Sequence, residues 1–404
     1  MSGLYPTMSP GLPGMLAADT GAEMIGVADG RTLAEWIESD GLFNGGTRKF
    51  TRWQAALAKS RTWAGRAYVA IVGNSVPAGV GSNGGDGQTD ARKNAWPTVL
   101  ADALTKCYNG YARANSVWGD SFVGMNLPTF DPRVTLGSGW VISNTFCLGG
   151  HALKNETTNS GTGIALSFEP DEPTDTCDIY YITYPGYSYF VTEVNADGVN
   201  LGTFNSHGNE GIAKATITAP LGQNRWDISK STPGTLMIVG IDAYRAETCR
   251  TSVWNMGASG STASHWATGN APYNFRNALP AVAPDLTIIA LTINDWAGLA
   301  GSDPVNYKRD MSTIIAAAKI SGDVLLMVDI PSNAGTASLA DQARFRGYCY
   351  ELAVENDVPL QDLTYRWRSQ LYLPMLGRYH DGVHPSKVGN ADIAYAVAKE
   401  IGNP

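Results

Sequence analysis

Four short stretches of the sequence carry residue types that together can attack a carbonyl group. In chain order they are "GNS" ending at Ser75, "NMGASGST" (255–262) with Gly260, "LTINDW" with Asn294, and "DGVHPS" with Asp381 and His384. A serine hydroxyl becomes a nucleophile when an imidazole accepts its proton, and a carboxylate three residues before the histidine can orient that imidazole. Backbone N–H groups of a glycine loop and a side-chain amide can stabilise an oxyanion.

Each stretch also has a simpler explanation. Ser75 could be a turn serine, because Gly-x-Ser-x-Gly is absent, and the Gly-Lys-Ser/Thr ending of a phosphate loop is missing too. Asn294 could merely cap the next helix. His380, Asp381 and His384 could hold a metal, although no further acidic or histidine cluster completes such a site. Because all four stretches follow predicted strands or precede the last helix, we favour hydrolytic chemistry at one sheet edge.

The elements around these stretches alternate between strands and helices. Residues 68–72, "TSVWNMG", "DLTIIALTI" and "DVLLMVDI" are predicted strands, and residues 91–107 and the C-terminal "NADIAYAVAKEIG" are predicted helices. This alternation indicates a parallel sheet with helices on both faces. Open α/β sheets bind ligands beyond the carboxyl ends of their strands, where the four stretches fall. We assign residues 61–119 and 246–404 to one discontinuous α/β domain.

The region 120–245 has a different pattern. Short apolar or alternating runs are separated by Gly, Pro, Asn and Asp, which predicts an inserted all-β sandwich. Residues 1–60 form an N-terminal arm rich in Pro and Gly, followed by two predicted short helices, "GRTLAEWIES" and "TRWQAALAKS". The first of these has a possible capping box of Thr32 and Glu35.

Composition restricts the classes of function. The chain has 404 residues, 44% hydrophobic and 16% charged, which is a folded globular balance. The net charge of −8 and the lack of a basic cluster argue against nucleic-acid binding. No apolar run is long enough to enter a membrane and no secretory signal opens the chain, so we expect synthesis and folding in a cytoplasm. The five scattered cysteines favour free buried thiols, with a Cys177–Cys249 disulfide as the alternative.

The four stretches resemble the conserved blocks of the SGNH hydrolases, the GDSL-like esterases and lipases. The resemblance implies a flavodoxin-like three-layer α/β/α fold, here with an inserted jelly-roll-like all-β domain, and ester hydrolysis without cofactor or metal. It implies that Ser75 is the nucleophile, that His384 is the base oriented by Asp381, and that Ser75, Gly260 and Asn294 form the oxyanion hole. Gly260 is preferred to Gly257 because "SGST" matches the family's Ser-Gly-Asp-Thr-like run. The chain has Asn74 where the family usually has aspartate.

Two looser resemblances suggest a setting. The insertion is similar to carbohydrate-binding jelly rolls of phage-tail esterases, and residues 18–37 are similar to virion-anchoring starts of tail spikes. They imply a phage tail protein, made in the host cytoplasm, that contacts other tail proteins, and the tail-spike resemblance suggests a homotrimer. We therefore expect an esterase that removes O-acetyl groups from a bacterial surface polysaccharide, a capsule or an O-antigen. The alternatives are a non-catalytic glycan-binding adhesin and an esterase or lipase for longer acyl chains.

Overall fold

The structure is a computed structural model that describes most of the chain. The described residues are 42–45, 47–108, 110–119, 126–156, 165–195, 197–248, 250–333, 338–367 and 377–402. Three expectations from the sequence lie outside them: the predicted helix "GRTLAEWIES", its predicted capping pair, and the predicted virion-anchoring segment at 18–37.

Strands in the described residues fall into one parallel and two antiparallel sheets. In chain order they are β1 (Ala67–Gly73), β2 (Ala112–Arg113), β3 (Ser116–Trp118), β4 (Val134–Leu136), β5 (Trp140–Cys147), β6 (Gly150–Asn155), β7 (Leu166–Phe168), β8 (Thr174–Thr183), β9 (Tyr189–Val194), β10 (Gly202–Asn205), β11 (Gly211–Gly222), β12 (Trp226–Lys230), β13 (Leu236–Tyr244), β14 (Thr251–Gly257), β15 (Leu286–Ala290), β16 (Asp323–Val328) and β17 (Leu360–Asp362).

Helices occur mainly before β2 and after β14. They are α1 (Thr51–Arg61), α2 (Ser75–Ala78), α3 (Trp96–Tyr108), α4 (Leu127–Phe130), α5 (Ala263–Ala267), α6 (Phe275–Val282), α7 (Ile293–Trp296), α8 (Pro304–Ser321), α9 (Leu339–Glu355), α10 (Leu363–Trp367) and α11 (Lys387–Ile401). Short 3₁₀ helices span Thr47–Phe50, Ala91–Asn94 and Leu299–Gly301.

The parallel sheet has the strand order β17-β16-β15-β1-β14-β2. The central strand β1 pairs with β14 on one side and with β15 on the other. Its run "YVAIV" is apolar at every position because helices flank the sheet, so both faces of the strand are buried. Gly73, Gly257 and Ala290 lie in register at the carboxyl edge, so the residues that follow them emerge side by side.

Two sets of helices flank this sheet. In one set, α1 and α11 are joined by the hydrogen bond from Trp53 Nε1 to the Ile401 carbonyl at 2.8 Å, and α11 packs on α3. In the other set, α8 packs against α5, α6 and α9. The predicted α/β architecture is therefore confirmed.

The region between β2 and β14 is antiparallel. One sheet has the order β10-β9-β12-β7-β4, and the other has the order β11-β8-β13-β6-β5 with β3 added beside β13. Buried side chains of both sheets meet in a separate core that includes Phe190 and Trp226 from the first sheet and Ile179 and Ile238 from the second. These antiparallel sheets agree with the predicted inserted β region, while its division from the α/β part at 120 and 245 stays a prediction.

Strand β8 of the second antiparallel sheet is buried on both faces. Ile179 and Tyr181 of β8 point into the β core, whereas the alternate residues Tyr180 and Ile182 join the core of the α/β part. Successive side chains of a strand point to opposite faces, so β8 contributes side chains to both cores. Trp118 of β3 stacks near Trp254 of β14, with ring centroids 5.0 Å apart, at the same junction.

Some local expectations differ from the structure. The run "DLTIIALTI" forms a strand only to Ala290, and helix α7 begins at Ile293. Cys147, Cys177 and Cys349 are free and buried, as the scattered cysteines suggested, but Cys107 is free and exposed. Cys249 lies outside the described residues. Among the helices that the structure describes, none combines the length and apolar character needed to cross a membrane.

Candidate active site

Ser75 is presented by a sharp turn at the end of β1. Asn74 is the N-cap of the four-residue helix α2, and its side-chain oxygen accepts the N–H of Val76 at 2.9 Å. Ser75 is therefore the first helical residue, and its own N–H has no acceptor within the helix. The residue is only 4% exposed. The sequence "VGNSVPAG" thus places a hydroxyl and a free backbone donor at the carboxyl edge of the sheet.

His384 and Asp381 form a local pair just before α11. One oxygen of Asp381 accepts the backbone N–H groups of Val383 and His384 at 2.7 and 2.6 Å. The other oxygen lies 2.8 Å from His384 Nδ1. Burial raises the pKa of Asp381, but the hydrogen bonds from His384 and Val383 outweigh this effect and leave the pKa below its usual value. Asp381 is therefore ionised at neutral pH and can stabilise a charged imidazole.

The two segments meet at the hydroxyl of Ser75. His384 Nε2 lies 3.0 Å from Ser75 Oγ, which is hydrogen-bond distance for a nucleophile and its general base. With Nδ1 bound to Asp381, the line Asp381–His384–Ser75 has the connectivity of a catalytic triad. Both ring nitrogens of His384 thus have partners among protein side chains.

Gly260 lies in the loop that follows β14. The N–H of Ala258 donates to the carbonyl of Gly73 at 2.8 Å, and the hydroxyl of Ser261 donates to the same carbonyl at 3.2 Å. The N–H of Ser261 donates to Ala258 and closes a turn, in which Gly260 has φ of +77°. The loop is therefore fixed to the chain two residues before Ser75, with the Gly260 backbone at the same edge.

Asn294 lies in α7 and is 6% exposed. Its Nδ2 donates to the carbonyl of Ser261 at 2.8 Å, so it is attached to the loop that carries Gly260. A side-chain amide has two N–H groups. One of them is used in this bond, and the role of the second as an oxyanion donor stays a prediction.

Two buried aspartates of this edge have no role in the sequence-based hypothesis. Asp329 follows β16 and accepts from the Asn74 amide, while Asp295 accepts the N–H of Ala263 at 3.0 Å and the hydroxyl of Ser302 at 2.6 Å. Both follow apolar strands, which is the signal that drew attention to Asn294. The same signal, a polar residue directly after a buried strand, is present in "DVLLMVDI". It would have identified Asp329 as a candidate.

The alternative metal site has no support in the described residues. They contain no group of three His, Cys, Asp or Glu side chains that could hold a metal ion. In the segment proposed for it, the N–H of His380 donates to the carbonyl of His384 at 2.9 Å, and the His384 ring is engaged by Asp381 and Ser75. The geometry therefore supports acid–base and nucleophilic chemistry.

Comparison with solved structures identifies similar folds. A structure described as a peptidoglycan O-acetylesterase in action superimposes with a TM-score of 0.63 at 17% identity, covering 89% of this chain and 97% of that chain. The TM-score shows a shared fold, and at this identity the likeness shows the fold alone. An acetylxylan esterase from Geobacillus stearothermophilus gives 20% identity and a TM-score of 0.32, covering 39% of this chain and 74% of that one. A carbohydrate acetylesterase from Sinorhizobium meliloti gives 19% and 0.29, covering 37% and 78%.

Comparison of the sequence with known proteins gives a match to one family model. A search of curated protein sequences gives no significant match. The sequence model of the GDSL-like Lipase/Acylhydrolase family matches residues 240–391, which include Gly260, Asn294, Asp381 and His384. Ser75 lies outside the matched stretch, on the other side of the antiparallel region in the chain. Through this match and the fold of its parallel-sheet region, the chain is similar to the GDSL-like SGNH hydrolases.

Proposed function

We propose that this protein is a serine esterase that removes O-acetyl groups from a bacterial surface polysaccharide. The observation that carries the proposal is the line Asp381–His384–Ser75, with 2.8 and 3.0 Å between successive polar atoms. The family match over residues 240–391 supports ester hydrolysis. The choice of a carbohydrate ester is supported by the fold shared with the peptidoglycan O-acetylesterase structure.

The reaction begins with attack by Ser75. His384 Nε2 accepts the hydroxyl proton while Oγ forms a bond to the acetyl carbon, and the carbonyl π electrons move to oxygen. Asp381 stabilises the imidazolium that results. When the tetrahedral intermediate collapses, the bond to the sugar oxygen breaks and His384 gives its proton to that oxygen. The products of this half-reaction are a free sugar hydroxyl and acetylated Ser75.

Water completes the cycle. His384 accepts a proton from water, whose oxygen attacks the acetyl carbon of the acyl-enzyme. Collapse of the second intermediate releases acetic acid, which ionises at neutral pH, and His384 returns its proton to Ser75 Oγ. In both intermediates the oxyanion accepts hydrogen bonds from the N–H groups of Ser75 and Gly260 and from the amide of Asn294.

The biological setting is part of the proposal. The resemblance of residues 18–37 to virion-anchoring segments supports a phage tail protein that is attached to other tail proteins and acts outside the cell. On this proposal the chain assembles in the host cytoplasm, and the tail-spike resemblance supports a homotrimer. The antiparallel sheets would contact the polysaccharide while the site at Ser75 removes acetate.

A panel of acetylated capsules and O-antigens tests the proposal. The wild-type protein should release acetate from at least one of them, and Ser75→Ala should release none while keeping the wild-type unfolding midpoint. Binding of a glycan without acetate release would favour the adhesin alternative. A series of p-nitrophenyl esters that is cleaved faster as the acyl chain lengthens would favour a lipase. Equal hydrolysis by Ser75→Ala would exclude Ser75 as the nucleophile.

A further inference from the structure

One buried carboxylate connects the turn of the nucleophile to the turn of the oxyanion amide. Asp329 follows β16 and is fully buried. Its Oδ2 accepts hydrogen bonds from Asn74 Nδ2 at 2.8 Å, from the N–H and the hydroxyl of Thr292 at 3.0 and 2.9 Å, and from the N–H of Ile293 at 3.2 Å. Asn74 directly precedes Ser75, and Ile293 directly precedes Asn294. A single oxygen atom thus contacts both catalytic turns.

The position of Asp329 is itself fixed. Its backbone N–H donates to the Thr292 hydroxyl at 2.9 Å, and its carbonyl accepts the hydroxyl of Thr364 at 2.7 Å. These contacts hold the residue between the ends of β15, β16 and β17. Because the backbone of Asp329 is held in place, a displacement of its carboxylate would also displace Asn74 and Thr292.

The chemistry of the contact requires a donor at position 74. Asn74 uses its oxygen to accept the N–H of Val76 and its Nδ2 to donate to Asp329. An aspartate at this position, the usual residue of the family that the chain resembles, would place a second acceptor 2.8 Å from Oδ2 of Asp329. Two carboxylates at that distance cannot both ionise without strong repulsion, so one of them would hold a proton.

The surroundings of Asp329 offer little compensation for a second charge. Within the described part of the chain its Oδ1 is buried without a hydrogen-bond partner. Burial raises the pKa of Asp329 and the hydrogen bonds from Asn74 and Thr292 lower it, with a net rise. The titratable groups that interact with it are Asp295 of α7, Tyr307 of α8 and Cys349 of α9, all of which are neutral or negative.

We infer that Asp329 is a positioning residue that holds the turns of Ser75 and Asn294 in register, and that it requires the amide of Asn74 as its donor. The inference rests on the proposed esterase function.

The experiment compares Asn74→Asp, Asn74→Ala and the double variant Asn74→Asp/Asp329→Asn by kcat on p-nitrophenyl acetate between about pH 5 and pH 9. The substrate reports the chemical step, and His384 must be unprotonated to act as a base, so the wild-type kcat should rise with pH to a plateau. In Asn74→Asp the shared proton is lost as the pH rises, so kcat should fall again by about tenfold on the alkaline side with KM within about threefold.

Asn74→Ala and the double variant show whether the alkaline fall of kcat comes from the pair of carboxylates. Asn74→Ala has one carboxylate and should lose kcat equally at every pH above the rise. The double variant also has one carboxylate and should lack the alkaline fall. An Asn74→Asp profile parallel to that of Asn74→Ala, or an alkaline fall that persists in the double variant, would overturn the inference.

Asp329 itself is tested by two substitutions. Asp329→Ala removes the common acceptor and should lower kcat by about 10²-fold with KM within about threefold, whereas Asp329→Asn keeps an acceptor oxygen and should retain most of kcat. Equal kcat values for the wild type and Asp329→Ala would overturn the inference. If Asp329→Ala does not fold, the variants of Asn74 decide.

Urea unfolding separates this inference from the proposed function. The urea midpoint of Asn74→Asp should fall more than that of the wild type as the pH rises above about 4, because only the folded variant holds the additional shared proton, and the double variant should lack this excess fall. That comparison needs no turnover. A wild-type protein without esterase activity would contradict the proposed function, whereas a pH-dependent fall of the midpoint in Asn74→Asp no larger than that of the wild type would contradict the Asn74–Asp329 requirement.

Discussion

His384 Nε2 lies 3.0 Å from Ser75 Oγ, although 309 residues separate the two in the chain. The distance is set by the parallel sheet, since Ser75 follows its central strand and His384 precedes the helix α11 that packs on α3. The antiparallel region is inserted in the chain between the two residues, yet both emerge at one edge. The chemistry of the site therefore depends on contacts that are distant in sequence.

Asp381→Asn tests whether Asp381 orients His384 for catalysis, as distinct from a role in folding. The amide cannot stabilise the imidazolium as the carboxylate does, so kcat should fall by about 10² to 10⁴, with KM within about threefold. Steady-state hydrolysis of p-nitrophenyl acetate measures both constants. Asp102→Asn, which changes an exposed carboxylate of α3, is the matched control and should keep wild-type kcat. A loss below about threefold in Asp381→Asn would contradict the role of Asp381.

Asn294→Ala should remove one donor from the proposed oxyanion hole. Loss of such a donor costs about 10² to 10³ in kcat because the donor binds the transition state more strongly than the substrate. The amide also binds Ser261, so the unfolding midpoint is measured in parallel to detect disturbance of the loop. Asn209→Ala, at an exposed position before β11, serves as the control. If kcat drops by less than about threefold, the Asn294 amide does not meet the oxyanion.

Gly81→Ala should displace His384, both directly and through its neighbour His380. Gly81 has φ of +83°, and a Cβ there would lie 2.8 Å from His380 Cβ and 3.1 Å from His384 Cβ. Gly84 has φ of +72° and open space around its Cβ position, so Gly84→Ala has the backbone strain without the contact. Each variant should lose about 1–2 kcal/mol of unfolding free energy from the left-handed backbone.

Only the contact distinguishes the two glycine variants. Gly81→Ala should lose further stability and also lower kcat, because His380 and His384 must move, whereas Gly84→Ala should keep wild-type kcat. Urea unfolding and p-nitrophenyl acetate hydrolysis of both proteins provide the comparison. Equal kcat values in the two variants would mean that the loop of Gly81 does not position His384.

Asp295→Asn should reduce the dependence of stability on pH. Burial raises the pKa of Asp295 to about 7, although bonds from Ser302 and Ala263 oppose the rise. Since an unfolded aspartate titrates near pH 3.9, the folded state holds more protons between about pH 4 and pH 7, and stability falls as the pH rises through this window. The contribution of Asp295 is at most about 1.4 kcal/mol per pH unit.

The measurement is urea unfolding of the wild type and Asp295→Asn at about pH 5 and pH 7. The variant cannot titrate at this position, so its loss of stability between the two pH values should be smaller. Asp171→Asn, which changes an exposed carboxylate, should show the wild-type difference. A pH difference in Asp295→Asn equal to that of the wild type would show that the buried carboxyl does not hold a proton near neutrality.

Local features of the site were predictable from short stretches of sequence. The Asp381–His384 contact spans three residues, and its geometry follows from a turn in which the Asp381 carboxylate accepts the next backbone N–H groups. The apolar run before Gly73 predicted the buried strand β1. Because such features depend on neighbours in the chain, pattern and turn chemistry are sufficient to recognise them.

Contacts between distant segments needed the structure. Asn74 was recognised in the sequence as a departure from a family pattern, but its partner Asp329 lies 255 residues away and has no distinguishing motif. Likewise, the alternation of β8 indicated a strand, but not that its two faces join two different cores.

The sequence by itself determined which residue types stand after buried strands, and with them the α/β class and the candidate nucleophile, base and oxyanion donors. The tertiary structure decided which of these groups touch. Strand order and register bring Ser75, the Gly260 loop, Asn294 and Asp329 to one sheet edge, and α11 brings His384 to the same place. Pairing between strands depends on the packing of the whole sheet, so one segment read alone cannot specify it.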